Sequence, residues 1–157
     1  MDKTVLAYIF KGEEVLLLLR NKKEKDINKN KYIGIGGHIE KNESSIEALK
    51  REIKEETNLD ILNAFYHGEI HFIDTGYEEI MHLFSVYEYT GTIKPCDEGE
   101  LHWINIKDFD SLNMWEGDKY FIPYILKKET FETMKIVYEH SRLKSVIING
   151  EEIKSIS

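Results

Sequence analysis

The segment GIGGHIEKNESSIEALKREIKEETNL, Gly34–Leu59, constrains this chain more than any other. Three glycines fall in four positions, and a glutamate-rich run follows. Ser44 and Glu47 have capping-box spacing, which starts a helix after Ser44. Each helical residue advances about 100° around the axis. Ile46, Leu49 and Ile53 then share a stripe, the face expected to be buried. Glu52, Glu55 and Glu56 stand at i, i+3 and i+4 beside that stripe, with Ala48 inside their arc. Glu47, Lys50, Arg51 and Lys54 take the far side. Asn58 follows at the position that wants a left-handed residue, where Asn is the common substitute for Gly.

Three carboxylates on one helix face repel each other. Glu55 and Glu56 also sit at the helix C-terminus, where the macrodipole disfavours anions. One reading is a solvated acidic face neutralised by Arg51 and Lys54. The other is that the carboxylates hold a cation, and hard divalent ions such as Mg²⁺ take oxygen ligands of this kind. A calcium-binding EF-hand is excluded, because its aspartate-and-glycine loop is absent.

Charge narrows the ligand. Lys plus Arg is 21 and Asp plus Glu is 29, a formal net charge of −8. An acidic chain is a poor partner for a nucleic-acid polymer. A small phosphorylated ligand stays open, because a bound cation reverses the local field. Cys96 is the only cysteine, which excludes an intrachain disulfide and a cysteine-built zinc cluster. The longest apolar run is Val15–Leu19, too short to span a bilayer. MDKTVLAYIF lacks the pattern of a signal peptide. The expectation is a cytoplasmic protein with no membrane partner, folded as one domain over residues 1–157.

Thr4–Phe10 and Val15–Arg20 read as strands joined at Lys11–Glu14. Asn21–Lys31 is a polar, basic loop, either simply solvated or a flap whose lysines meet phosphates. Ile61–Asp74 and Glu79–Thr90 are strand-rich about a turn at Thr75–Glu78, and Leu101–Ile106 is a further strand. Lys107–Leu112 reads as a short helix or turn. Asp118–Lys128 has helical spacing, with Pro123 in its first turns. Phe131–Glu139 and Leu143–Asn149 form a closing hairpin. The order predicts an α+β fold, a mixed sheet flanked by helices.

Gly37, Glu43 and the run Arg51-Glu52-Ile53-Lys54-Glu55-Glu56-Thr57-Asn58-Leu59 carry a resemblance to the Nudix box, G-x5-E-x7-R-E-U-x-E-E-x-G-U with U aliphatic. Every specified position matches except Asn58 for glycine. The resemblance implies the Nudix fold, an α/β/α sandwich with a mixed sheet. It implies Mg²⁺- or Mn²⁺-dependent hydrolysis of a nucleoside diphosphate linked to a further group. Glu52, Glu55 and Glu56 are then metal ligands, with the Gly36 carbonyl as a further one. Glu52 is the first candidate to activate water. Arg51 orients the carboxylates, with Glu43 as its partner.

The resemblance extends beyond the box. Tyr32–Gly37 is similar to the W-N-G-F-G-G segment of oxidised-purine nucleotide hydrolases. The segment from Cys96 to Trp103 resembles one that brings an extra glutamate near the metals. Glu98 is the first choice for that role and Glu100 the second. Met114–Tyr120 resembles the base-binding segment of the same subgroup. Trp115 can stack on a purine, or pack in the core. Asp118 can bond the base edge, or cap the helix that follows. His38 reads as a phosphate or base contact, or as a solvent-facing strand residue.

Two positions depart from the subgroup. Ile33 stands where some relatives place an Asn on the base, and Gly117 where a second Asp is found. The substrate expected is 8-oxo-dGTP or a related purine nucleotide, split to the monophosphate and pyrophosphate by a monomer or homodimer. Other nucleoside diphosphate derivatives, such as dinucleoside polyphosphates or ADP-ribose, and a non-catalytic nucleotide-binding module are the alternatives. His67 and His71 are assigned no role.

Overall fold

Strand β2 (Glu14–Leu19) is the pivot of the architecture. In the computed structural model, which describes residues 1–155, it pairs antiparallel with β1 (Asp2–Lys11). Successive side chains of a strand point to opposite faces. Val15 and Leu17 therefore enter one core with Tyr8 and Phe10, while Leu16 and Leu18 enter another with Val5, Ala7 and Ile9. A strand buried on both faces reads as an unbroken apolar run, and VLLLL shows no alternation for that reason.

Each core is closed by one helix. Helix α1 (Ser45–Thr57) brings Ala48, Leu49 and Ile53 to the second core. Helix α2 (Asp118–Lys127) brings Phe121, Ile122 and Ile125 to the first. The sheet lies between them, so the expected α/β/α sandwich is the fold observed.

Eight further strands complete the sheet: β3 (Tyr32–Ile33), β4 (Ile35–His38), β5 (Asp60–Asp74), β6 (Tyr77–Thr90), β7 (Glu100–Asn105), β8 (Met134–Glu139), β9 (Arg142–Ile148) and β10 (Glu151–Ser155). The order is β10-β9-β8-β5-β6-β1-β2-β3, with β4 on β1 and β7 on β2. The β1–β6 and β5–β8 pairs are parallel and the others antiparallel, so the sheet is mixed. Among the described residues, no helix is long and apolar enough to cross a membrane.

Three local expectations change. The closing hairpin gains β10, turned by Asn149 and Gly150 at φ 50° and 80°. An Asn-Gly pair at positive φ is the favoured two-residue hairpin turn. Ile46 is 37% exposed. The buried stripe of α1 lies instead through Ala48, Leu49, Ile53 and Thr57, whose smaller members let the helix sit close on the sheet. The short helix or turn expected after β7 is present, as a 3₁₀ helix over Ile106–Ser111. Gly117, not Asp118, is the N-cap of α2, and no side chain caps it.

Candidate active site

Helix α1 is fixed at both ends. The Glu47 N–H donates to Ser44 Oγ at 3.2 Å, and the Ser44 N–H to Glu47 Oε1 at 2.9 Å, the reciprocal pair of a capping box. At the other end Asn58 is left-handed, φ 71° and ψ 8°, and its N–H bonds Lys54 O at 2.9 Å. A helix stopped at both ends holds its carboxylates in a definite register against β4.

The glycines of β4 make that register usable. A Cβ on Gly37 would lie 2.5 Å from the carboxyl carbon of Glu52. A Cβ on Gly36 would run into the carbonyl of Val5 in β1. With the carboxylates where they stand, bare backbone fits between β1 and the acidic group. The Gly36 N–H donates to Glu56 Oε2 at 3.2 Å.

Arg51 organises the acidic side. Its Nε and Nη2 donate to Glu43 Oε2 and Oε1 at 2.8 and 2.9 Å. Its Nη1 donates to Glu52 Oε1 at 2.8 Å and reaches Glu55 Oε2 at 3.5 Å. Nη2 also donates to the carbonyl of His38 at 2.9 Å. Arg51 is therefore half-buried among carboxylates rather than on a solvated far side. The expected pairing with Glu43 is present, and the reach to Glu52 adds to it. The Arg51 hydrogen bonds hold the Glu43 carboxyl down to about 2.

The remaining carboxylates are crowded. Burial pushes Glu56 up to about 9, reinforced by a hydrogen bond with Glu98 and by the charges of Glu98 and Glu52. Burial also raises Glu52, against the opposing pull of Arg51. Glu98 approaches Arg20 Nη1 at 3.4 Å and Lys23 Nζ at 3.6 Å. One ligand atom from each of Glu56, Glu98 and Cys96 lies within 4.8 Å of the others. Glu100 bonds His102 Nε2 at 3.2 Å on the exposed part of β7. Of the two glutamates considered, Glu98 is the one beside Glu56. Glu55 stays largely exposed at the edge of the group.

This donor set suits a hard divalent cation. Every charged donor is a carboxylate oxygen, the ligand class of Mg²⁺ and Mn²⁺. The upward shift of Glu56 reflects crowded negative charge in a partly desolvated place, which a cation there would relieve.

Beside the carboxylates lies a cavity of about 230 Å³. Gly36, Gly37 and Ile33 line one part of it, and Trp115, Gly117 and Asp118 another. Gly36 and Gly37 thus belong to both the carboxylate group and the cavity. The Trp115 indole N–H donates to Asn28 Oδ1 at 2.6 Å. Lys31 Nζ sits 4.7 Å from the ring centroid, and Tyr138 meets the ring edge-on at 5.6 Å. Trp115 therefore both packs against the first core and lines the cavity. Asp118 is enclosed by protein yet keeps surface open to the cavity; burial pushes it up to about 7, with Lys31 pulling it down. Burial, reinforced by Asp118, raises the Tyr8 hydroxyl.

Gly117 has a packing reason. A Cβ there would fall 2.8 Å from the Tyr138 hydroxyl, which accepts the Gly117 N–H at 2.6 Å. Tyr138 occupies the space a side chain would need.

His38 stands apart. Its ring is exposed, 3.5 Å from Asp2, and does not line the cavity. Only its carbonyl touches the acidic group, through Arg51. His67 is buried, with both ring nitrogens bonded, to Glu129 O at 2.6 Å and to Ser85 Oγ at 2.9 Å, as a packing residue would be. Thr4, Arg20, Asn28 and Glu79 also line the cavity, and none had been singled out. Asn28 lies in the Asn21–Lys31 loop, which is tied down by Arg20 to Asp26 at 2.8 Å. The lysine content of that loop was the available signal, and Lys23 and Lys31 do reach Glu98 and Trp115.

Comparison with known proteins agrees with this geometry. Residues 2–125 match the NUDIX domain. The chain is 27% identical over 128 residues to the oxidized purine nucleoside triphosphate hydrolase of Mus musculus, covering 80% of each. It is 29% identical over 116 residues to the protein of that name from Danio rerio, covering 73% of this chain and 74% of that one. Its fold is similar to the solved structure of a mutator MutT protein from Bacillus halodurans, with TM-score 0.84 and 25% identity over 96% of this chain and 99% of that one.

Proposed function

The chain belongs to the Nudix family, and we propose from that premise that it hydrolyses 8-oxo-dGTP or a related oxidised purine nucleoside triphosphate to the monophosphate and pyrophosphate. The observation that carries this reading is continuity. The carboxylates of Glu52 and Glu56 meet Gly36 and Gly37, and the same glycines line the cavity that holds Trp115 and Asp118. A nucleotide with its base at Trp115 has its phosphates directed toward the acidic group.

Glu52, Glu55, Glu56 and Glu98 would hold Mg²⁺ or Mn²⁺, with the Gly36 carbonyl, on the strand edge that also presents its N–H, as a further ligand. Such an ion, when bound, neutralises charge that builds on the phosphate oxygens. Arg51 keeps Glu52 in place through Nη1. Glu52 takes a proton from water as the water oxygen bonds phosphorus and the bond to the leaving phosphate breaks. Trp115 stacks on the purine and Asp118 bonds its edge. Ile33 and Gly37 complete the wall behind base and sugar. The two curated relatives are named for oxidised purine triphosphates, which supports the substrate class.

Ile33 and Gly117 favour one second reading, hydrolysis of another nucleoside diphosphate derivative, because both remove polar contacts expected for an oxidised base. The retained Glu52, Glu55 and Glu56 speak against a purely binding role.

The test is a panel of unmodified and oxidised nucleoside triphosphates, ADP-ribose and diadenosine polyphosphates with Mg²⁺, detecting monophosphate and pyrophosphate. The expected outcome is highest kcat/KM for 8-oxo-dGTP, with at least a hundredfold loss, on the order of removing one essential charged group, in Glu56→Gln. A higher kcat/KM for ADP-ribose than for every triphosphate rejects the substrate. Equal rates for wild type and Glu56→Gln reject the enzyme.

A further inference from the structure

The cavity carries a second carboxylate besides Asp118. Glu79 lies on β6, in parallel register with Asp2 of β1, and lines the cavity shared with Trp115 and Asp118. Its Oε2 accepts the hydroxyl hydrogen of buried Thr4 at 2.6 Å. That bond orients the carboxylate; the Tyr77 hydroxyl also hydrogen-bonds it, and its remaining lone pairs can accept from a ligand.

Most other polar groups of the cavity are already committed. Arg20 is bonded to Asp26 and Glu98. The Asn28 carbonyl oxygen accepts from Trp115. The Gly117 N–H donates to Tyr138. Ile33 is apolar and Gly117 has no side chain. Two carboxylates, those of Asp118 and Glu79, line the cavity beside the remaining donors of Asn28 and Tyr138, and as acceptors they complement ring N–H groups of a base.

We propose that Glu79, held by Thr4, is a specificity-determining residue that accepts a hydrogen bond from a ring N–H present in an 8-oxopurine and absent from the unmodified purine. This rests on the substrate reading given above. The chemistry is a change of sign at one atom. N7 of guanine is a lone-pair acceptor. In the keto form of 8-oxoguanine, N7 carries hydrogen and donates. Against a carboxylate the donor makes a charge-assisted bond. The lone pair instead sets acceptor against acceptor and leaves both desolvated groups unpaired. Discrimination then has a repulsive part as well as an attractive one. It also supplies, from the β1–β6 wall, polar recognition that Ile33 and Gly117 no longer supply from theirs.

The test measures binding of 8-oxo-dGMP and dGMP by titration calorimetry to wild type, Glu79→Gln and Thr4→Val. Monophosphates keep hydrolysis out of the readout. The expected result is preference for 8-oxo-dGMP in the wild type, with the ratio of dissociation constants reduced about ten- to hundredfold in Glu79→Gln. The glutamine amide can donate to the guanine lone pair, which the carboxylate cannot do. Thr4→Val reduces the ratio less, because the carboxylate stays but loses its anchor. An unchanged ratio in Glu79→Gln, or an equal loss of affinity for both nucleotides, overturns the proposal. Should Glu79→Gln fail to fold, Glu79→Asp applies the same criterion, since the shorter acid cannot keep both contacts. Absence of 8-oxo-dGTP turnover in the wild type is a separate result. It rejects the enzymatic reading, while the binding ratio decides the role of Glu79.

Discussion

Arg51 grips Glu43 with two parallel hydrogen bonds, Nε to Oε2 at 2.8 Å and Nη2 to Oε1 at 2.9 Å. The fork uses one edge of the guanidinium and turns Nη1 onto Glu52. Under the proposed metal reading Glu43 acts through Arg51, which holds Glu52. Glu43→Gln removes its charge and one acceptor. Mn²⁺ affinity, titrated by electron paramagnetic resonance, is expected to fall about ten- to hundredfold, the usual cost of losing a partner that orients a metal ligand. Unchanged Mn²⁺ affinity with a lowered melting temperature would instead make the pair a brace for the fold.

Asn58 separates backbone from side-chain effects. Its φ of 71° costs any residue with a Cβ, and least of all Asn. Its Nδ2 also donates to Thr92 O at 3.0 Å. Asn58→Gly loses that exposed bond and relieves the backbone, so stability should stay within about 0.5 kcal/mol. Asn58→Ala keeps the strain and loses the bond, for about 1–2 kcal/mol of destabilisation. Urea unfolding of both variants checks the order; an alanine variant as stable as the glycine one contradicts it.

Asp118 makes stability depend on pH in a direction unusual for an acid. Burial raises it from 3.8 to about 7 in the folded chain, so the folded state holds the proton more tightly. The group's contribution is whole below the unfolded value, is lost as pH rises toward about 7, and changes no further above it. Asp118→Asn is neutral throughout and removes this slope. The urea midpoint of the Asn variant relative to wild type should rise from near pH 4 to near pH 7 and then level off. A difference that is flat across this range contradicts the raised value.

The parts legible from the sequence were local ones. The capping box, the spacing of Glu52, Glu55 and Glu56, and the left-handed Asn58 lie within one helix, where residue separation maps directly to angle. Cross-chain pairings were not legible. Thr4 meets Glu79, Asn28 meets Trp115, and Tyr138 fills the space over Gly117 only because the sheet order brings distant strands and loops together. Helical angle alone put Arg51 on the far side because it locates Cα atoms, whereas its long side chain wraps around to the carboxylates, as the motif resemblance implied. Strand β10 was missed although Asn149-Gly150 is a strong turn signal, because the flanking Glu151 and Glu152 look like a solvated tail.

Gly36 and Gly37 are neighbours in β4, yet alanine at each should fail in a different way. At Gly36 the added methyl meets the backbone carbonyl of Val5. Neither strand can yield without breaking the β1–β4 ladder, in which Leu6 stands opposite Gly36. Gly36→Ala is expected to destabilise by about 2–3 kcal/mol, the range for overpacking a tight site. At Gly37 the added methyl meets only the carboxyl end of Glu52, at 2.5–2.6 Å. That side chain can swing aside at small cost to the fold. Swinging takes Glu52 off the Nη1 of Arg51 and away from its place in the acidic group. Gly37→Ala should therefore keep its melting temperature within a few degrees of wild type, a change of under about 1 kcal/mol. Its kcat should fall about a hundredfold, the scale of a misplacement of roughly 1 Å at a reacting group. Thermal melts and steady-state kinetics on the two variants check this. Equal loss of stability in both would mean that Glu52 is too tightly held to move. Full activity in Gly37→Ala would mean that its present position is not needed for the chemistry.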